Sequence, residues 1–211
     1  MRGHRVFAAL YDSMLRGTER AGLGEMRAEL LAEAAGRTLE IGAGTGLNLP
    51  HYTGAVSELV LTEPDPYMAR RLRRRLTEEP PAPPRVEVAE APAERLPFDD
   101  SSFDSVVSTL VLCSVERPQA SIAEIARVLK PDGRLLCLEH VRDPRNAALA
   151  RWQDRLERPW GWIAGGCHPN RDTVAELEAA GLDGQALLRG DLPRVAPLVR
   201  PMVRGQAVPR G

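Results

Sequence analysis

The chain has 211 residues, of which 43% are hydrophobic and 27% charged, and a formal net charge of -1. This length and balance suit one globular domain with a sizeable core and exclude a disordered chain. The near-neutral charge gives no bulk attraction to nucleic acid or to an anionic membrane. No apolar run approaches the ~18 residues of a membrane helix, and no small-residue cleavage site follows the short apolar stretch after Met1-Arg2-Gly3-His4-Arg5. A cytoplasmic protein without signal peptide or membrane anchor is expected. Lys130 is the only lysine among the basic residues, which we read as the composition of a GC-rich bacterial genome. Cys113, Cys137 and Cys167 lie far apart and no pair has zinc-site spacing, so neither a disulfide framework nor a metal is expected.

Residues 5–16 and about 20–35 read as two helices, with Met26, Leu30 and Leu31 as an apolar stripe and Gly36 as the stop. A strand from Thr38 to Ile41 runs into a glycine loop, and a short helix is expected from Leu47. Leu59 to Thr62 is a second strand. Met68, Leu72 and Leu76 mark a helix whose arginines, Arg70 to Arg75, read as a solvated face rather than a nucleic-acid surface. Pro80 to Pro84 is a stiff connector. Val86 and Val88 form a third strand, and Phe103 to Val111 a fourth, buried on both faces. Ile122, Ile125, Ala126 and Leu129 give a helix closed by Pro131-Asp132-Gly133, and Leu135 to Leu138 is a fifth strand. Helices near 146–158 and 172–180 follow, the second opened by a Thr173/Glu176 capping box. The proline-rich last thirty residues can hold only short strands. Alternating strands and helices imply an α/β fold, a doubly wound, mostly parallel sheet with helices on both faces.

The chemistry centres on Glu40-x-Gly42-x-Gly44-x-Gly46 after the first strand. Glycines let backbone turn sharply and approach a ligand closely, and the helix expected behind them offers free N–H groups. A dinucleotide loop spaces its glycines G-x-G-x-x-G around a pyrophosphate. The G-x-G-x-G spacing, with an acid two positions ahead, suits a ligand that carries an amino-acid end instead. Glu63, at the end of the second strand and followed by Pro64, is positioned to accept ribose hydroxyl protons.

These residues resemble motif I and the ribose-binding acid of class I S-adenosylmethionine-dependent methyltransferases, over roughly residues 37–141. Pro92-Ala93-Glu94-Arg95-Leu96-Pro97-Phe98 followed by Ser102-Phe103-Asp104 is similar to the family's adenine-side motif. Pro92 stands where the family often has aspartate, which leaves Ala93 and Glu94 as the adenine-side residues. Val107 to Val115 resembles the fourth-strand segment whose end, here Thr109 and Leu110, faces the methionine portion. The resemblance implies a seven-stranded Rossmann-like sheet, S-adenosylmethionine as cofactor and methyl transfer as the activity. It divides a single domain, 1–211, into N-terminal helices (1–36), a cofactor-binding core (37–141) and a substrate-side segment (142–211).

Three further stretches narrow the match: Thr109 to Val115, Leu138-Glu139-His140-Val141, and Gly166 to Thr173. With Val199-Arg200-Pro201 and Gly205 to Val208, they are similar to the methyltransferase-like family that includes animal alkyl-thiol S-methyltransferases and many soluble bacterial relatives. The resemblance implies a small-molecule acceptor, with a thiol as the first reading. C- or O-methylation of a quinone or phenol precursor is the alternative, and a non-catalytic S-adenosylmethionine-binding protein the third reading. Tyr11 matches an aromatic that closes over the cofactor, although a helix aromatic packed on the core reads equally well. His140, just past the fifth strand, is either a proton acceptor or a structural histidine. Cys113 is a wall of the methionine end or an apolar filler. Cys167 and His168 lie in a loop that would roof the acceptor pocket. Trp152, Trp160 and Trp162 either line that pocket or pack in the core.

Overall fold

The structure, a computed structural model, describes residues 5–210; residues 1–4, on which part of the expectation of no signal peptide rests, lie outside the described residues. Two helices, α1 (Arg5–Thr18) and α2 (Gly24–Leu31), are joined by a wide turn in which Gly22 takes φ +128°. The second helix is shorter than its stripe suggests. Gly36 does not close it but opens β1 (Gly36–Glu40) at φ +67°. The Asp104 carboxylate reaches over this glycine to accept the Arg37 N–H, and its oxygen lies 2.5 Å from where a Cβ would stand. Only glycine fits there.

Next come β2 (Val56–Thr62), α3 (Pro66–Glu78), β3 (Val86–Ala89), β4 (Phe103–Thr109), α4 (Pro118–Val128) and β5 (Leu129–His140). The remainder is α5 (Ala147–Ile163), α6 (Thr173–Ala179), β6 (Leu182–Asp183), β7 (Leu188–Asp191) and β8 (Pro201–Pro209). The strands lie in the order β3-β2-β1-β4-β5-β8-β6, with β7 also on β8. The first five are parallel, and β8 runs antiparallel to β5. The sheet thus has eight strands rather than seven, because the outer edge of β8 is shared between β7 and β6. β8 is long despite the prolines around it, since Pro201 and Pro209 sit at its two ends and remove no interior N–H.

Side chains alternate across the sheet as a two-residue period requires. Leu59 and Leu61 of β2 and Leu136 and Leu138 of β5 join one apolar layer with Leu30, Leu31 and Leu72. Val60, Leu135 and Cys137 join the other, with Ile122, Ile125 and Leu177. Helices therefore cover both faces, as expected of a doubly wound fold. The arginines of α3 face outward and pair with acids, Arg73 with Glu90 and Arg74 with Glu78. The cap of α6 is Asp172, whose Oδ1 accepts the Ala175 N–H, and not Thr173, which is buried.

Candidate functional site

The strand order reverses at β1, whose neighbours β2 and β4 lead away in opposite directions. Open α/β sheets bind ligands beyond the carboxyl ends of their strands at such a point. A cavity of about 310 Å³ lies there. That is near the lower bound of the ~300–1,000 Å³ of ligand pockets. Gly42 and Gly44 after β1, Glu63 after β2, Leu110 after β4 and His140 at the end of β5 all line it.

The glycine loop turns through three left-handed residues, Gly42 (φ +56°), Gly44 (φ +58°) and Gly46 (φ +84°). Their reasons differ. A Cβ on Gly42 would stand 2.6 Å from a Val111 methyl, and one on Gly46 2.8 Å from methyls of Leu49 and Leu72. A Cβ on Gly44 would meet nothing closer than Gly42 O at 3.9 Å and the Tyr11 ring at 4.0 Å, so open space lies above that backbone. No α-helix follows. The chain makes one tight turn, Leu49–His51, so the expected helix terminus is not the anion-binding device here. The Gly44 N–H instead donates to Glu63 Oε2 at 2.8 Å, and the Asp65 N–H to Glu63 Oε1 at 2.8 Å. Each carboxylate oxygen keeps a lone pair for another donor. Burial pushes the Glu63 pKa up against these hydrogen bonds.

A smaller recess opens beside the loop, lined by Arg27, Glu40, Asn48 and Thr109. Glu40 is buried and accepts from Tyr52 Oη at 2.7 Å and Asn48 Nδ2 at 2.9 Å. Desolvation raises its pKa to about 7. Arg27, 3% exposed, donates to Glu19, Asn48 and Thr109. A cation and a carboxylate thus flank one recess, the complement of an amino-acid end. Sequence reading missed Arg27 because a helix arginine looks like any solvated one; only tertiary packing buries it.

Tyr11 lines both spaces, and its ring lies 5.5 Å from that of Phe7. Desolvation pushes its phenol up to about 12. Asp12 latches α1 down, accepting from Thr45 of the glycine loop at 2.5 Å and from Arg75 of α3 at 2.8 Å. Pro64, Ala93 and Glu94 also line the cavity. Glu94 is partly spent on the start of α4, where its Oε1 accepts the N–H groups of Glu116 and Arg117.

Leu110 takes φ +59°, a costly conformation for a bulky side chain. Its surroundings enforce it. The Leu110 N–H is held by Leu138 O, and buried Glu139 Oε1 accepts the next two N–H groups, of Val111 and Leu112, with the Ser108 hydroxyl. Glu139 therefore shapes the loop that turns over the cavity.

At the far end Cys113, His140 and Cys167 meet, all buried. His140 Nε2 lies 3.0 Å from Cys167 Sγ, so it is already engaged, and its Nδ1 is buried with no hydrogen-bond partner. Trp160 Nε1 donates to Cys167 Sγ at 3.3 Å. Hydrogen bonding from Cys113 and from His140 pulls the Cys167 thiol down to about 4, while the same Cys113–Cys167 contact and burial push Cys113 up. His168, expected beside the acceptor, is instead held by Glu157 at 2.8 Å and does not line the cavity. Of the three tryptophans only Trp160 lines it; Trp152 and Trp162 are exposed. Gly46 supports the loop from below and does not line it.

The glycine cradle, its ribose-type acid and the charged recess fit S-adenosylmethionine. The methyltransferase-domain family matches residues 39–137. Thiol S-methyltransferase TMT1B of Homo sapiens is 33% identical over 84% of this chain and 73% of its own length. The chain belongs to the class I S-adenosylmethionine-dependent methyltransferases. Ubiquinone/menaquinone biosynthesis C-methyltransferase UbiE of Azotobacter vinelandii is 34% identical over 75% of this chain and 64% of its own length. The chain spans between 58% and 73% of the length of the TMT1B proteins it matches. A crystal structure from Thermotoga maritima, described as a possible histamine N-methyltransferase, superposes with TM-score 0.68 and 22% identity over 98% of each chain, which establishes the methyltransferase fold. Among the described residues, no helix is long and apolar enough to cross a membrane.

Proposed function

We propose that this methyltransferase moves a methyl group from S-adenosylmethionine to the sulfur of a small, largely apolar thiol. The observation that carries the reading is the cavity itself. It joins the Gly42–Gly44–Glu63 wall at one end to Cys113, His140, Cys167 and Trp160 at the other in one continuous space.

When bound, S-adenosylmethionine supplies a methyl group on a sulfonium; its S–CH3 bond breaks as the acceptor sulfur forms the new S–C bond, and the acceptor's proton goes to solvent. Glu63 would accept the ribose hydroxyls. Glu40 and Arg27 would serve the ammonium and carboxylate of the amino-acid end, with Thr109 and Asn48 fixing their positions. Pro64, Ala93 and Glu94 would lie along the adenine side, and Leu110 beside the methionine chain. Tyr11 and Phe7, on the latched helix α1, would cover the site and exclude water. The single-domain organisation expected from the sequence fits this division of labour.

The base requirement is light. A free thiol of pKa ~8.5 is already a few per cent thiolate near neutrality, so alignment is the protein's main contribution. The likeness to TMT1B favours a thiol. The likeness to UbiE supports C-methylation as a second reading. Incubation with methyl-labelled S-adenosylmethionine and a panel of alkyl thiols, phenols and quinone precursors decides between them. Labelled methyl thioether is expected. Label in a quinone or phenol product alone would overturn the thiol reading, and no label in any acceptor would overturn catalysis.

A further inference from the structure

Cys113, His140 and Cys167 come from three separate parts of the chain: the loop after β4, the last residue of β5 and the loop after α5. Their ligand atoms nonetheless all lie within 4.8 Å of one another. We propose that these three side chains bind a zinc ion, with its fourth coordination position open to the cavity for the acceptor sulfur.

The donor set decides the ion. Two sulfurs and an imidazole nitrogen with no carboxylate are a borderline-soft set, which suits zinc and not magnesium or calcium. Zn–S bonds of ~2.3 Å and Zn–N bonds of ~2.0 Å separate the ligands of a tetrahedron by ~3.5–4 Å. With His140 Nε2 and Cys167 Sγ 3.0 Å apart and all three ligand atoms within 4.8 Å of one another, side-chain adjustments of about 1 Å or less bring the set to that geometry. Charge agrees. Zinc with two thiolates and a neutral imidazole sums to zero, which keeps the cost of burial low.

The supports are in place as well. Trp160 Nε1 points its hydrogen at Cys167 Sγ, and Ser114 Oγ lies 3.4 Å from Cys113 Sγ, contacts that would fix both sulfurs from outside the coordination shell. The two cysteine loops are bolted together. The His168 N–H donates to Cys113 O at 2.8 Å, and Arg171 donates to Leu112 O at 3.2 Å and Val115 O at 2.6 Å. All three candidate ligands also line the cavity that Gly44 and Glu63 line, so an open fourth position faces the same space as the cofactor wall. A thiol taking that position would lose its proton to solvent on coordination. Spacing in the sequence could not reveal the set, because the third ligand is supplied by a strand end rather than by a neighbouring residue.

The identity of the fourth ligand rests on the thiol reading; the metal site does not. Reduced, metal-stripped protein is titrated with Co2+ as a spectroscopic stand-in for zinc, without cofactor or acceptor. One equivalent should give thiolate-to-cobalt charge-transfer absorption and intense tetrahedral d–d bands, bleached by one equivalent of Zn2+. Cys113→Ser, Cys167→Ser and His140→Gln, tested separately, should each lose these bands. S-adenosylmethionine affinity and thermal melting report in parallel that the variants are folded. Absence of the bands in folded wild-type protein, or bands that persist in both cysteine variants, overturns the site. With the metal bound, an alkyl thiol should shift the cobalt spectrum. An unshifted spectrum beside normal thiol methylation overturns the open position only, and failure of methylation with intact cobalt bands counts against the thiol reading only.

Discussion

Gly44 offers the sharpest separation of binding from folding. It sits at φ +58°, so any other residue carries the left-handed penalty of about 1–2 kcal/mol. A Cβ there would meet no atom closer than 3.9 Å, so no packing cost adds to that strain. In a chain of this length each kcal/mol lowers Tm by ~2–4 °C, so Gly44→Arg should melt only ~2–8 °C below wild type. Its side chain would, however, occupy the space between the loop and Tyr11. S-adenosylmethionine binding by calorimetry should weaken by at least ~100-fold, equivalent to ~2.8 kcal/mol. Gly42→Ala is the control. Its Cβ would be driven to 2.6 Å from Val111, adding an overpacking cost of about 1–3 kcal/mol to the strain. It should melt lower than Gly44→Ala, the variant of matched size. Unchanged cofactor affinity in Gly44→Arg would refute the assignment of the loop, and equal melting of the two alanine variants would refute the steric distinction between these glycines.

The remaining predictions use other parts of the site. In Glu63→Gln an amide nitrogen must face either the Gly44 or the Asp65 N–H, leaving a donor unpaired at about 1–3 kcal/mol; calorimetry should show cofactor affinity reduced roughly tenfold or more, and an unchanged value would remove Glu63 from the cofactor site. Glu40 has its pKa raised from 4.5 to about 7 by burial, so its contribution favours the fold below pH ~4.5 and is lost as pH rises through 7. That change is worth about 3 kcal/mol, so cofactor-free wild type should lose stability between pH 5 and 8 relative to Glu40→Gln; parallel pH profiles would contradict a buried, protonated Glu40. Arg171→Ala removes the tie to Leu112 O and Val115 O on the acceptor side. KM for the acceptor should rise roughly tenfold while cofactor affinity stays constant; a matching loss of cofactor affinity would show that the two ends of the cavity are not independent.

Local patterns in the sequence reveal most of the cavity wall that we propose for the cofactor. Alternating strands and helices give the doubly wound sheet, and Glu40 to Gly46 with Glu63 gives a cradle and its acid, because each is encoded within a few residues of a strand end. What escapes the sequence depends on distant partners. Burial of Arg27 needs Asn48 and Thr109 around it. The split edge of β8 needs β6 and β7 to be docked already. The absence of an α-helix behind the glycine loop reflects Leu49 turning inward against Gly46, a contact with no periodic signature. His168 looks like a pocket residue beside Cys167, yet Glu157 on α5 captures it, and the partner that Cys167 does find, His140, is 27 positions away.

The two ends of the cavity also differ in which stretches of chain build them. Gly42, Gly44, Glu63, Ala93 and Leu110, on the side proposed for the cofactor, follow β1 to β4 in turn, whereas the other end takes Cys113 and His140 from the same parallel strands and Trp160, Cys167, Leu192 and Val199 from the segment after β5. The later segment is nonetheless tied to the earlier one, by the pairing of β8 with β5 and by the His168 and Arg171 hydrogen bonds to the loop after β4. Directed evolution toward a new acceptor is therefore best confined to Leu192, Val195 and Val199, which line the cavity beyond β5 and make none of these ties.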